Sequence, residues 1–293
     1  MINEFLQYIQ YEKNYSSHTV LSYHTDLIQF LSFLKIAPEN FNPDSILAEH
    51  IRQWILNLLE NKVSARSISR KISTLKSFWK FLKIRGYTTK NPTLKIILPK
   101  TKKPLPAFFK KTEMSIALDE TFLPEDFESQ RDHLIIETFY NTGMRLSELI
   151  TIKDADLDAV ENTLKVTGKR NKQRVIPLSK EFCVKLVDYM RLRDYSVENT
   201  TSYLFVRNNG MKLYPKMVYN MVHSRMQEVS SLSKVSPHVL RHTFATELLN
   251  EGADINAVKE LLGHSSLAAT QVYTHTSFGE LQNIYKHAHP RAK

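Results

Sequence analysis

The chain is poor in three things. It has one cysteine, Cys183, among 293 residues, so no intramolecular disulfide can form. A lone thiol fits a reducing compartment, and Cys183, beside Phe182 and Leu186 in a helical pattern, reads as core packing rather than as a reactive group. No apolar run reaches the roughly 18 residues that a membrane-crossing helix needs. The opening stretch MINEFLQYIQYEKNYSS has no basic segment followed by an apolar one, so no secretory signal is expected. These two absences predict a soluble, cytoplasmic protein. The third scarcity is local. From Ser64 to Lys111 there is no Asp or Glu, while fourteen Lys and Arg occur. A solvated basic helix face is the bland explanation, but so long a stretch without one acid points to a surface that contacts a phosphate backbone.

What is present fits that direction. The formal charge is +10, and nucleic acid is the commonest polyanionic partner of such a chain. Hydrophobic residues make up 42%, enough for a sizeable core, and the length suggests about two domains. No repeat at roughly 20–50 residues and no low-complexity tract appears.

Helical periodicity dominates the first hundred residues. Ile2, Phe5, Leu6 and Ile9 form one stripe. Ser16 or Ser17 caps a second helix carrying Val20, Leu27, Phe30, Leu31 and Leu34. Pro38 and Pro43 precede a third, around Ile46–Leu59. Ser64 opens a fourth, with Ile68, Ile72, Leu75, Trp79 and Leu82 inward, ending before Gly86. The segment PKTKKPLPAFFKK holds three prolines and five lysines without helical period, which marks a semi-extended linker. The expected division is therefore 1–98, a helical DNA-binding domain; 99–111, the linker; and 112–293, a second domain.

That second domain mixes helices with a hairpin. Leu134, Ile135, Phe139 and Tyr140 form a buried stripe stopping at Gly143, and another helix follows at once, carrying Arg145, Glu148 and Leu149. Thr163–Thr167 and Arg174–Leu178 read as strands around the turn GKRNKQ. Helices are expected at Ser179–Arg193, Pro215–Val229, from Pro237 to Asn250, at Asp254–Leu262 and at Leu267–Tyr273. A last one is capped by the box Ser277-x-x-Glu280 and carries Phe278, Leu281 and Ile284.

Six residues stand out as a set: Arg145, Lys169, His238, Arg241, His264 and Tyr273. None is an acid, so a carboxylate cage for a divalent metal is not indicated. His242 lies one turn from His238, but Arg241 places a cation on that face and neither carboxylate nor cysteine completes a metal site. The set suits a pentavalent phosphorane, whose non-bridging oxygens concentrate negative charge. Guanidinium groups match those oxygens with paired donors. Imidazoles can exchange protons near neutral pH. A phenol, with a pKa of about 10, needs such surroundings to act as a nucleophile.

Four stretches carry a family likeness: GMRLSELITI (143–152), TGKRNKQRVIPL (167–178), HVLRHTFAT (238–246) and LGHSSLAATQVYTH (262–275). In this order they resemble the tyrosine recombinase/phage integrase family, closest to its Xer-type recombinases, which resolve chromosome dimers. The ending HPRAK (289–293) is slightly nearer the XerC branch, and SSHTVLSYHTDLIQFL (16–31) resembles the family's core-binding domain. Met144 stands where the family usually has Leu, and no catalytic position is lost.

The resemblance implies a mainly α fold with a small β component: an N-terminal helical, SAM-like core-binding domain and an α+β tyrosine-recombinase catalytic domain, clamping the duplex from two sides. It implies that Arg145 and Arg241 hold the scissile phosphate and that Lys169 protonates the departing 5′ oxygen. Lys172, Arg170 and Arg174 share the turn with Lys169, and one of them could instead hold the backbone. His238 would assist proton transfer from Tyr273, His264 would hydrogen-bond the phosphate, and Tyr273 would take the 3′ phosphate. Glu148 would orient Arg145 from behind. Arg66, Arg70, Lys71, Lys76, Lys102, Lys103 and Arg225 are expected to touch DNA.

No metal or other cofactor is expected, because exchange of one phosphodiester for another nearly conserves bond energy. The expected partners are double-stranded DNA and a homo- or hetero-tetramer on two sites, with a second Xer recombinase and a septal DNA translocase as further possibilities. The last helix would dock on a neighbouring protomer. Three rivals remain: an integrase of a mobile element, which often carries an extra N-terminal domain that is not seen before the first helix here; a non-catalytic DNA-binding protein on the same scaffold; and a type IB topoisomerase.

Overall fold

Residues 1–98, 107–121, 124, 126–168, 171–198 and 201–263 are described by the structure, a computed structural model of the chain. The chain divides into two compact units, Met1–Pro104 and Leu105–Lys293.

The first unit is helical. α1 (Ile2–Gln7) runs into a π-helical turn at Tyr8–Glu12, followed by α2 (Ser17–Phe33), α3 (Ala48–Glu60) and α4 (Ala65–Ile84). Of the two serines that could cap α2, Ser16 does so, accepting from the Thr19 amide, and Ser64 caps α4 by accepting from that of Ser67. The apolar stripes meet in a core of Phe5, Leu27, Phe30, Trp54, Ile68, Ile72, Leu75, Phe78, Trp79 and Leu82. Its aromatic rings interlock, with Phe30 on Trp54 at 5.0 Å and Phe5 on Phe78 at 5.1 Å between centroids, tilted pairs worth about 0.5–1.5 kcal/mol each beyond their burial. One acid lies inside this unit. Asp26, fully buried on α2, accepts from Arg70, Lys71 and Thr74 of α4 and so pins the two helices together.

In the second unit α5 (Lys111–Ala117) precedes α6 (Phe127–Thr142) and the short α7 (Leu146–Leu149). A three-stranded antiparallel sheet in the order β1 (Leu157–Asp158), β2 (Thr163–Thr167), β3 (Gln173–Pro177) follows, with Thr163 opposite Pro177 and Thr167 opposite Gln173. β1 was not foreseen; two residues are too few to show alternation. Then come α8 (Lys180–Ser196), α9 (Pro215–Val229), α10 (Pro237–Asn250) and α11 (Ile255–Leu262). The mostly helical architecture with one small sheet is the fold class expected.

α6 is the centre of this unit. From Leu134 to Thr142 every residue is buried. Two threonines on it, Thr138 and Thr142, return their hydroxyls to carbonyls four residues back, which lets a polar side chain sit in the core. The helix stops at Gly143, whose φ of +57° is left-handed. A Cβ there would lie 2.3 Å from the Phe244 ring, so both the turn and the close approach of α10 require glycine. α10 and α11 share a small core of Phe244, Leu248, Ala257, Val258, Leu261 and Leu262. No helix among the described residues is long and apolar enough to cross a membrane.

Candidate active site

Three arginines from three different elements converge on the C-terminal end of α11. Arg145 sits at the N-cap of α7, Arg174 on β3 and Arg241 on α10. The last carbonyls of a helix have no partner within it and carry the negative end of its dipole. Here each of three successive ones takes an arginine. Leu261 O accepts from Arg174 Nε at 2.8 Å, Leu262 O from Arg241 Nη2 at 2.8 Å, and Gly263 O from Arg145 Nη2 at 3.2 Å. Arg241 Nη1 also donates to Gly143 O at 2.7 Å, tying the end of α6 to the end of α11.

Glu148 balances the cluster. Its carboxylate is only 2% exposed and accepts four bonds. Two come from Arg145, from the backbone amide and from Nη1, both at 2.8 Å. Two come from Arg174, from Nη1 at 3.1 Å and Nη2 at 2.9 Å. Burial alone would push this carboxyl upward, but the Arg174 pair together with the amide and guanidinium of Arg145 outweighs it and holds Glu148 below the usual carboxylate range. Arg241, 8% exposed, has no acid of its own. Burial first, then the like charge of Arg145, brings its pKa down to about 10, with Glu148 pulling the other way. It stays protonated at neutral pH. With three cations and one anion, the cluster keeps a net positive charge that an incoming phosphate can neutralise.

Of the sequence-derived set, the structure brings together Arg145, Arg241 and Glu148. His238 lies on the first turn of α10, one turn before Arg241, and is exposed. Lys169, His264 and Tyr273 lie outside the described residues, as do the helices expected at Leu267–Tyr273 and from Ser277; Lys172, on the same turn as Lys169, is exposed. Arg174, one of the hairpin cations that the sequence offers as able to hold the backbone, joins this cluster. The signal for it was available: strand alternation puts it on the same face as the buried Ile176, and a charge facing inward needs a partner.

Among the basic residues expected on DNA, Arg66, Lys76 and Arg225 are exposed. Lys71 is a correction. It is buried, its ammonium 3.0 Å from Asp26 Oδ1 and also on Gln29, so its charge is neutralised inside the unit. It lies on the inner face of α4, where the run of basic residues hides it from a reading of composition. Arg70 is half-exposed and shares the same aspartate. Lys102 and Lys103 lie outside the described residues.

One group of metal-type ligand atoms gathers among the described residues, Glu120, His133 and Glu137. The ammonium of Lys185 already pairs with both carboxylates.

Comparison with known proteins fixes the lineage. Residues 113–280 match the family model described as "Phage integrase family", and residues 2–86 match "Phage integrase, N-terminal SAM-like domain". The chain is similar to the tyrosine recombinase XerC of Chlorobaculum parvum, 37% identical over 99% of this chain and 94% of that protein. It is similar also to that of Staphylococcus carnosus, 39% identical over 99% and 97%. This chain belongs to the phage integrase family. It is accordingly a tyrosine recombinase, an enzyme of site-specific recombination that works by tyrosine cleavage and religation.

Membership is matched by shape. A crystal structure of the XerH site-specific recombinase in a post-cleavage complex with a palindromic difH substrate covers 98% of this chain and 84% of its own, at a TM-score of 0.72 and 21% identity. At that identity it speaks for the recombinase fold alone.

Proposed function

We propose that this recombinase acts on double-stranded DNA and that Tyr273 is its nucleophile. Tyr273 Oη attacks the scissile phosphorus, the bond from phosphorus to the 5′ oxygen breaks, and a 3′-phosphotyrosyl link forms. The phenolic proton passes toward His238, and Lys169 protonates the departing 5′ oxygen. Arg145 and Arg241 hold the non-bridging oxygens, and His264 adds a hydrogen bond as charge builds on them. The 5′ hydroxyl of a partner strand then reverses the step, so no high-energy cofactor is consumed.

The observation that carries this reading is the convergence of Arg145 and Arg241 on Leu262 and Gly263. The chain runs from there directly into residues 264–273, which hold two more groups of the set, His264 and Tyr273. A phosphate bound by the arginines is therefore within one short segment of His264 and Tyr273 in sequence.

The 1–98 segment serves as a DNA-contacting domain, with Arg66, Lys76 and the half-exposed Arg70 on phosphates, and 99–111 links it to a catalytic domain of 112–293. Lys102, Lys103 and Arg225 add contacts. The enzyme assembles as a tetramer on two sites, of this chain alone or with a second recombinase, and resolves chromosome or plasmid dimers. The likeness in sequence to XerC recombinases supports that role over integration of a mobile element.

Two experiments test it. Mapping the genomic sites bound by the protein comes first: sites near the replication terminus are expected, whereas sites at the ends of a mobile element would indicate integration. A nicked duplex carrying the mapped site should then give a covalent protein–DNA species on a denaturing gel with the wild type and none with Tyr273→Phe.

A further inference from the structure

Each of the three guanidinium nitrogens of Arg174 already donates to an acceptor within the protein. Its Nη1 and Nη2 grip the Glu148 carboxylate as a fork, its Nε donates to Leu261 O, and its side chain is largely enclosed. Through these contacts it touches three elements. On β3 it lies five residues after Lys169. Through Glu148 it reaches Arg145, because the same two oxygens that it occupies also hold the Arg145 amide and Nη1. Through Leu261 O it holds the end of α11, three residues before His264. Gly263 adds a steric observation. A Cβ there would stand 3.2 Å from both Cδ and Nη1 of Arg174, so the arginine lies flat against a residue whose φ of +64° already favours glycine.

From this junction we infer that Arg174 is a positioning residue of the strand-exchange reaction: it sets Arg145 through Glu148 and fixes the α11 end that leads to Tyr273, without binding DNA itself. The role rests on the recombinase reading given above. It depends on the planar fork more than on the charge, since lysine can supply one point contact but cannot span both oxygens of Glu148 and reach Leu261 together. Arg174 also leaves the group of hairpin cations that could serve as the proton donor. A guanidinium does not release its proton in a protein, and its donors are turned toward the interior.

The test uses the full-length protein and a nicked duplex carrying its mapped site. The rate of covalent adduct formation is measured at saturating DNA, beside the affinity for the same duplex across a range of salt. Arg174→Met is expected to slow adduct formation by about 10- to 100-fold, the usual scale for a partner of an active-site ligand, while affinity and its salt slope stay at the wild-type values. Arg174→Lys is expected to remain slow. Adding Arg174→Met to Glu148→Gln should slow adduct formation by less than Arg174→Met does in the wild type, because the two share one carboxylate and only the hold on Leu261 O remains to be lost.

The inference is overturned if Arg174→Met, or Arg174→Lys where the methionine variant does not fold, forms adduct at the wild-type rate. It is equally overturned if the salt slope drops by about one with the rate retained, the mark of a direct phosphate contact, or if the two substitutions multiply. A wild type that forms no adduct at all overturns the recombinase reading beneath it, which the wild-type lane shows separately.

Discussion

Arg145 and Arg241 look alike in the sequence and are held differently in the structure. Arg145 is one-third exposed, with a buried carboxylate behind it; Arg241 is enclosed and held by two carbonyls. Both modes leave the guanidinium plane fixed before any ligand arrives, which is the condition under which donors stabilise developing charge without reorganising. Arg241→Lys keeps the charge but loses the second donor direction, so the rate of adduct formation should fall by about 10²–10³-fold; a rate within threefold of the wild type would contradict this role. Glu148 gives a pH prediction. Its folded pKa is depressed, so the stability it contributes is present above the ordinary carboxylate range, near about 4.3, and is lost as pH falls through the lower folded value. The stability difference between the wild type and Glu148→Gln in urea titrations should therefore shrink as the solution is acidified below about pH 4, and a difference that grows would contradict it. Asp26 is the residue-scale counterpart in the first unit. Asp26→Ala strands Lys71 as a buried cation and should cost about 3–5 kcal/mol by denaturant melting.

Elements were legible where periodicity and punctuation agree. Ser64 and Gly86 bracket α4, and Gly143 closes α6 with the left-handed residue that its position after the stripe demanded. The site was legible only in part, for a physical reason. Arg145 and Arg241 could be singled out because they lie in recognisable motifs. The carbonyls that they grip, Gly143, Leu262 and Gly263, belong to the backbone and leave no mark in a sequence. Lys71 was misplaced and Arg174 left undecided for the same cause: a charge on the inner face of an element looks like any other charge until its partner, Asp26 or Glu148, is seen across a long-range contact. Gly143 offers an element-scale test. Gly143→Ala places a methyl against Phe244 and Leu262 at a left-handed φ, so it should destabilise the protein by about 1–3 kcal/mol in urea. An unchanged midpoint would show that α6 and α10 do not meet as tightly as described.

At the scale of the molecule, the chain pairs a basic helical unit with a unit that carries a partly enclosed, net-positive cluster. Phosphate contacts should supply much of the affinity, so binding should weaken steeply with salt. Arg66→Ala and Lys76→Ala should each reduce the salt slope by about one, whereas Lys71→Ala should leave the slope alone and lower stability instead; filter-binding titrations at several salt concentrations separate these outcomes. The most direct measurement concerns the covalent link. After trapping on a nicked target duplex, nuclease trimming and peptide mass mapping identify the amino acid that carries the DNA and the end to which it is joined. A 3′ phosphate on Tyr273 is the predicted result. A nucleotide on any other residue, or a link through the 5′ phosphate, would contradict it.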